Sequence, residues 1–382
     1  MQIFRHDPPF DVVQQSLRRT ARGNVLDEGR SPTQGSWHWA QADRNLRAVG
    51  VSRLHQGYVV AHPGCALLAV LVLSSCAPAV VPSFYAQHSV DHPLVGKIYR
   101  PSSQTFVSAS AVAADVSAAR FVLLGEQHDN PDHHHLQARL LQVMITRGRH
   151  PALALEMLDL DDSEAIRACR ERRRCTVARF ARDVGWKESG WPDWQIYAPL
   201  LSVALDNDLP IAPADLPRAE VREYLRTGTW PDDPALPYRL GTRAALDPVV
   251  RLAMVEELRR AHCGFVAEPA IRGMLAAQRL RDAHMAESLV LAAGLERVVL
   301  VAGAAHVRED RGVVRRLHEI EPGSRVVSVA FLEVAPGRTH PAAYAADLGV
   351  RQLPFDYVWF TARADDEDPC EVHRKRLQSI GR

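Results

Sequence analysis

Residues 120–148 read RFVLLGEQHDNPDHHHLQARLLQVMITRG, and this stretch decides the fold class. Phe121 to Leu124 is apolar without alternation, the pattern of a strand buried on both faces of a parallel sheet. Asp129-Asn130-Pro131 then supplies cap residues and a proline for the first helical position. In the helix that follows, Leu136, Leu140, Leu141 and Met144 share one face, and Gly148 stops it. Two further runs repeat this grammar. Residues 151–155 (PALAL) end in Glu156, and residues 297–302 (RVVLVA) end in Gly303-Ala304-Ala305-His306. A fourth run, 209–214 (LPIAPA), ends in Asp215 and is weaker, because its prolines donate nothing to a strand ladder. Helices are expected at about residues 193–207, 247–260, 269–294 and 312–320. This alternation predicts an α/β protein, with an open, mostly parallel sheet flanked by helices. Residues 169–243 carry Cys, Arg, Pro and the tryptophans Trp186, Trp191, Trp194 and Trp230 in irregular order, and are expected to form a small helical insertion over the strand ends.

Composition narrows the function. The chain has 382 residues, 46 Lys+Arg against 45 Asp+Glu and a formal net charge of +1. That balance argues against a nucleic-acid partner held by bulk positive charge. Hydrophobic residues at 47% with 24% charged are ordinary globular usage. No apolar run approaches the roughly 18 residues of a spanning helix, so a polytopic membrane protein is excluded.

The chain changes character near Cys76. Residues 1–50 are polar and aperiodic, and are read as a non-structural extension or a mis-assigned start. Residues 51–75 read as a lipoprotein signal peptide, with Arg53 in the basic region and Ala66–Leu73 (ALLAVLVL) as the apolar core. Leu73-Ser74-Ser75-Cys76 resembles a bacterial lipobox, whose cysteine is lipidated. Translation is therefore expected to begin near Val51 through a non-standard start codon. The alternative is that the apolar run belongs to a buried element of a larger N-terminal domain. Residues 76–92 then form a linker, 93–370 the folded domain and 371–382 a tail. With Cys65 and Cys76 set aside, Cys169, Cys175, Cys263 and Cys370 remain. An even number in an exported chain suggests two disulfides, for which three connectivities exist. Cys169 and Cys175 are close enough for a local loop, which leaves Cys263 with Cys370; four unpaired buried thiols are the alternative.

In open parallel sheets ligands bind beyond the carboxyl ends of the strands. Glu126, His128, Glu156 and His306 all fall there. Two imidazoles and two carboxylates at one edge can hold a divalent metal, with His128 and His306 as ligands, or act as general acid and base. They can also be a hydrogen-bonded cluster that stabilises strand ends. No G-x-S-x-G, C-x-x-C or C-x-x-C-H is present, so a serine-nucleophile elbow, a zinc ribbon and covalent haem attachment have no support. His133, His134 and His135 point about 100° apart on a helix, so one looks into the site and the others are solvated. His133 and His134 share a face with Gln137 one turn on. Tyr197 lies on the helix beginning near Trp194. A tyrosine or histidine can ligate haem iron, although such a helix face more often packs into a core. The run Arg170-Glu171-Arg172-Arg173-Arg174 reads as a solvated helix face, with a haem propionate contact as the sharper alternative.

These residues resemble the ChaN-like haem-binding uptake family of bacterial lipoproteins. The resemblance spans residues 93–370 and rests on LLGEQHDNPDHHHLQ (123–137), ALEM (154–157), WQIYAPLLSVA (194–204), QRLRDAHMAESL (278–289), AGAAHVREDRGV (302–313) and YVWFTARADDEDPC (357–370). It implies a haem pocket at the strand ends, with Glu126, His128, His133, His134, Glu156, Tyr197 and His306 as its residues. It also implies pairing of two copies around haem, a haem or iron transporter as partner, and a lipid-anchored place in the bacterial cell envelope at the outer membrane. The related erythromycin-esterase-like group implies the alternative: an esterase or peptidase in which Glu126, His128, Glu156 and His306 position a divalent metal or activate water. The chain departs from the family pattern at Asp215, where an amide is expected, and in its N-terminal extension.

Overall fold

The computed structural model describes residues 84–172, 174–227, 240–242, 245–294, 296–368, 370–372 and 374–375. The expected signal peptide, the start near Val51, Cys76 and Trp230 lie outside the described residues. Among the described residues no helix is long and apolar enough to cross a membrane.

The decisive stretch folds as its chemistry dictates. Strand β3 (Phe121–Glu126) is buried along its whole length. The Asn130 side chain caps the next helix by accepting from Asp132 N–H, and Pro131 occupies its first turn. Eight strands form one sheet in the order β2-β1-β8-β7-β3-β6-β4-β5. They are β1 (Ile98–Arg100), β2 (Thr105–Val107), β3, β4 (Ala152–Asp159), β5 (Ile211–Asp215), β6 (Val298–Gly303), β7 (Val326–Glu333) and β8 (Tyr357–Thr361). The pairs β3·β6, β3·β7, β4·β5, β4·β6 and β7·β8 are parallel, and only β1 pairs antiparallel, with β2 and β8. The weak run at 209–214 becomes β5 at the sheet edge. There Pro213 lacks an N–H on the outer side, where no ladder bond is made, and Pro210, just before the strand, still accepts from Leu153 N–H.

Helices cover both faces, which is why the strands do not alternate. Val122 and Leu124 pack on one side with α1 (Ala109–Ala118), α2 (Pro131–Thr146) and α5 (Trp194–Asp206). Phe121 and Leu123 pack on the other with α8 (Glu268–Ala293), α9 (Gly312–Ile320) and α10 (Ala342–Asp347). The expected insertion is helical in α3 (Ser163–Glu171), α4 (Val177–Asp183), α5 and α6 (Arg218–Thr227), with β5 running between the last two. Helix α7 (Pro248–Ala261) pairs with α8. Both disulfides form, Cys169–Cys175 and Cys263–Cys370, with Cα atoms 5.4 and 5.6 Å apart.

Candidate functional site

Four parallel strands deliver their carboxyl ends to one edge, and the motif residues meet there. Glu126 ends β3, Glu156 lies in β4, Asp215 ends β5, and His306 follows β6. Two glycines make the approach close enough. A Cβ on Gly125 would stand 2.3 Å from Val307 and 3.0 Å from the Ala304 backbone, and a Cβ on Gly303 would stand 3.1 Å from the His128 ring. Each glycine of the two Gly-x-x-His motifs thus lets the other motif's loop pack against it.

Glu126 has no solvent exposure and accepts from three donors, with a fourth polar group close by. Its Oε1 accepts from Tyr197 hydroxyl at 3.0 Å and from His128 Nδ1 at 2.9 Å. Its Oε2 accepts from Gln137 Nε2 at 2.6 Å and lies 3.2 Å from His134 Nδ1. Burial alone would push this carboxyl up, but the His134 and His128 imidazoles hold it well below the usual range. The Tyr197 phenol is pushed well above its ordinary value by burial and by the Glu126 carboxylate, so it stays a donor.

A second cluster centres on Glu156. Its Oε1 accepts from Arg281 Nη2 at 2.7 Å and lies 3.2 Å from His306 Nε2, while its Oε2 accepts from Gly303 N–H at 2.6 Å. His306 Nδ1 lies 2.6 Å from Asp282 Oδ1. Burial opposes charge on this ring, yet carboxylates at both nitrogens push it up to about 10, and it is an imidazolium at neutral pH. Arg281 also holds both oxygens of Asp215, through Nε at 2.9 and 3.0 Å and Nη2 at 2.6 Å. Asp215, the departure from the family pattern, is therefore the bidentate partner of a guanidinium. His128 links the two clusters. Its Nε2 lies 4.0 Å from Glu156 Oε2, and its ring meets Trp191 edge-on at 4.8 Å.

The histidine triplet corrects one expectation. His133 and His134 are both fully buried, and only His135 is partly exposed, stacked on Tyr85 at 4.1 Å. The helix end is sealed under the 84–90 segment, which hydrogen-bonds Asp132, so the turn carrying the triplet faces protein on more than one side. His133 accepts from Gln127 N–H at 2.9 Å and reaches Thr361 Oγ1 at 2.9 Å. Burial pushes it down to about 3, which keeps it neutral. The Arg170–Arg174 run is solvent-exposed at its described positions, and Arg172 pairs with Asp183.

The space at this edge lies on the other side of Glu126. A cavity of about 360 Å³ opens at the ends of β3, β7 and β8, walled by Phe331, Leu332, Val334, Tyr344 and Leu348. Of the seven expected pocket residues only Glu126 lines it; His128, His133, His134, Glu156, Tyr197 and His306 are packed behind it. Arg338 and Arg363 are its basic side chains. Among the described residues no group of three or more His, Cys, Asp or Glu side chains is arranged to hold a metal ion. Sequence reasoning placed Gln137 beside the histidines but gave it no role, and assigned none to Arg281, Asp282 or the cavity arginines. QRLRDAH carried the signal for Arg281 and Asp282, because two carboxylates buried at strand ends demand a buried cation.

A protein-family model described as haem-binding uptake, Tiki superfamily, ChaN matches residues 112–317. Among solved structures, ChaN of Campylobacter jejuni, described with cofacial heme binding, superposes with a TM-score of 0.54 at 18% identity, over 69% of this chain and 95% of that one. That likeness shows the fold. An erythromycin esterase in an open conformation gives a TM-score of 0.36 at 13% identity, over 74% and 87% of the two chains, too low to carry an argument. No curated protein matches.

Proposed function

Because this chain belongs to the ChaN family of haem-binding uptake proteins, we propose that it binds haem in the strand-end cavity and serves bacterial haem and iron uptake. The observation that carries the placement is the cavity itself, which opens where parallel sheets bind ligands and shares Glu126 with the matched segment. Its residues fit haem in kind. Phe331, Leu332, Val334, Tyr344 and Leu348 offer apolar and aromatic surface for a planar macrocycle, and Arg338 and Arg363 suit carboxylates. Bound haem would supply iron, the cargo of uptake. The chain's own part is to shield one face from water and to hold the anionic edge.

A visible-spectrum titration of the purified protein with haem tests this. A saturable Soret shift near one haem per chain is expected, lost when Leu332→Glu puts a charge on the wall. Unsaturable binding by the wild type would overturn it. The cofacial arrangement described for the Campylobacter jejuni protein supports pairing of two copies on haem; haem should then raise the sedimentation coefficient. Cys76 as lipid anchor places the protein at the outer membrane, beside a haem or iron transporter. Cys76→Ser should shift it to the soluble fraction, and retention with membranes would refute the anchor.

A hydrolase is the second reading, favoured by one contact. Glu126 orients His128 through Nδ1, leaving Nε2 toward Glu156, the arrangement of an oriented general base. His306 is less suited to that role, because the Glu156 and Asp282 carboxylates at its two nitrogens favour its protonated form. Ester or peptide turnover that disappears in His128→Gln would favour this reading.

A further inference from the structure

The run Arg170–Arg174 belongs to a basic hairpin that neither the cavity nor the buried cluster uses. From Ser163 to Asp183 the chain carries seven arginines against three carboxylates. The formal net charge of the whole chain is +1, so the remainder is net negative. We propose that α3 and α4 form a docking surface for an anionic phospholipid bilayer. The choice of a bilayer as partner rests on the Cys76 lipid anchor proposed above.

The hairpin is two-sided. Ile166 and Cys169 of α3, with Phe180 and Ala181 of α4, are buried in the core that α2 and α5 share. The Cys169–Cys175 disulfide closes the turn between the helices, and Thr176 caps α4 by accepting Arg179 N–H at 3.3 Å. On the outer side Arg167, Arg170, Arg172, Arg174, Arg179 and Arg182 are all exposed. The hairpin's own carboxylates are already engaged. Arg167 bonds Glu164 and Glu171, each at 2.6 Å, and Arg172 and Arg179 share Asp183. Arg170, Arg174 and Arg182 have no carboxylate partner among the described residues. A cation at each helix C-terminus complements its dipole, which accounts for Arg170 and Arg182 but not for Arg174 or the excess. Asp161 and Asp162 stand before α3, about 13 Å from its last turn, and leave that excess unbalanced.

The hairpin also lies where a tethered bilayer would be. The N–H groups of Tyr85 and Ala86 donate to Asp132 in the first turn of α2. Trp186, which follows α4, packs on Tyr197 at 5.0 Å, and Tyr197 packs on His134 of that same turn at 4.0 Å. Chain entry and hairpin thus flank one helix end. Tyr85 is nine positions from Cys76, a reach of at most about 32 Å when extended. A lipid on Cys76 would hold anionic headgroups near this end, and their field acts within a Debye length of about 10 Å.

The test uses the full chain with Cys76→Ser, so that no lipid contributes. Vesicles are phosphatidylcholine alone, or phosphatidylcholine with about a third phosphatidylglycerol. Cosedimentation should show stronger binding to the anionic vesicles, reversed as salt rises from about 0.05 to about 0.5 M. Arg170→Gln/Arg174→Gln/Arg182→Gln should weaken that binding about a hundredfold, at about fivefold per arginine. Arg170→Lys/Arg174→Lys/Arg182→Lys should bind as the wild type does, because the surface reads charge and not a planar fork. Arg149→Gln/Arg315→Gln/Arg325→Gln removes the same charge from exposed positions elsewhere and should lose less than about threefold. Any affinity of the apolar 66–73 run for vesicles is common to all these chains. Thermal melts check that each variant folds; should one not fold, the lipid and salt dependence of the Cys76→Ser chain decides.

Equal binding to both vesicles, or an equal loss when the arginines elsewhere are replaced, overturns the proposal. A Lys variant as weak as the Gln variant overturns it too, because a fork-specific anion is then the partner. Salt-sensitive self-association lost in the Gln variant, without vesicle binding, overturns it in favour of the acidic run 365–368 of a second copy. The anchor fails separately, if the wild type is recovered in the soluble fraction, and the vesicle result still decides the surface.

Discussion

Glu126 divides the carboxyl edge of the sheet into two regions of opposite design. Toward β4 and β5, Glu156, Asp215, His306 and Asp282 are buried and bonded to one another or to the partly buried Arg281. Toward β7 and β8, an apolar wall leaves about 360 Å³ of space, lined also by charged groups that include Glu126, Glu333, Arg338 and Arg363. Buried charges must be paired wherever they lie, and here the pairing fills the volume that a ligand would need. The histidine-bearing motifs mark the filled side. The open side joins Phe331–Leu348, which no motif covers, to Glu126, Gln127, Ala304 and Arg363 of the quoted motifs. A polar signature therefore locates the edge that matters, and the packing decides which half of that edge admits a ligand.

The contrast can be broken most forcefully at Arg281. Arg281→Ala leaves Glu156 and Asp215 buried without their guanidinium and should cost about 3–5 kcal/mol in denaturant unfolding, a loss typical of a broken buried pair. A loss below about 1 kcal/mol would show that the closed side does not depend on internal charge pairing. Next comes the covalent tie to the open side. Cys370 follows the acidic residues of the cavity rim and closes a loop of 107 residues with Cys263, against 6 for Cys169–Cys175. By chain entropy, replacing the long pair by serine should cost about 5 kcal/mol and the short pair about 2 kcal/mol. Equal losses in thermal melts would contradict this ordering.

Titration should separate the regions too. His306 is raised to about 10 from 6.5, so its contribution is complete below pH 6.5 and is lost as pH rises toward 10. Stability should fall by at most about 1.4 kcal/mol per pH unit over that window, and His306→Asn should flatten the slope. On the acid side, neutral buried His133, depressed to about 3, costs stability as pH falls below 6.5, and Glu126 and Glu156 add to the loss below 4.5. The smallest effect belongs to the rim. Asp366→Asn should change stability by less than about 1 kcal/mol, because Asp366 is itself exposed and needs no partner to offset burial. It should nevertheless tighten carboxylate ligands by freeing Arg363; weaker binding would argue that Asp366 itself contacts the ligand.

Much of this was legible because local chemistry and tertiary demand coincide. The Asn130-Pro131 start of α2, the alternation-free strands and the spacing of Gly125 and Gly303 before their histidines each follow from rules acting within a few residues. His133 escaped because a helical period gives a direction and not the neighbour waiting there, and the 84–90 segment and Thr361 come from the far ends of the domain. Arg281 and Asp282 were quoted in a motif yet unassigned, since their partners Asp215, Glu156 and His306 lie 24 to 125 positions away. Arg363 was likewise quoted in a motif and unassigned, and Arg338 gave no signal, because nothing in the sequence says that β7 and β8 end beside an empty volume.

The sequence by itself determined the α/β class, strands β3, β4, β5 and β6 with helices α2, α5, α7, α8 and α9, the edge at which Glu126, Glu156 and His306 gather, and the even set of cysteines that pairs. These depend on apolar periodicity, caps and glycines, which act over short spans of chain. Only the tertiary structure decided that the motif histidines are enclosed in a charge-balanced cluster and that the space lies beside them, under β7 and β8. Cavities and buried ion pairs are properties of how distant segments fill volume together, and no single segment carries that information.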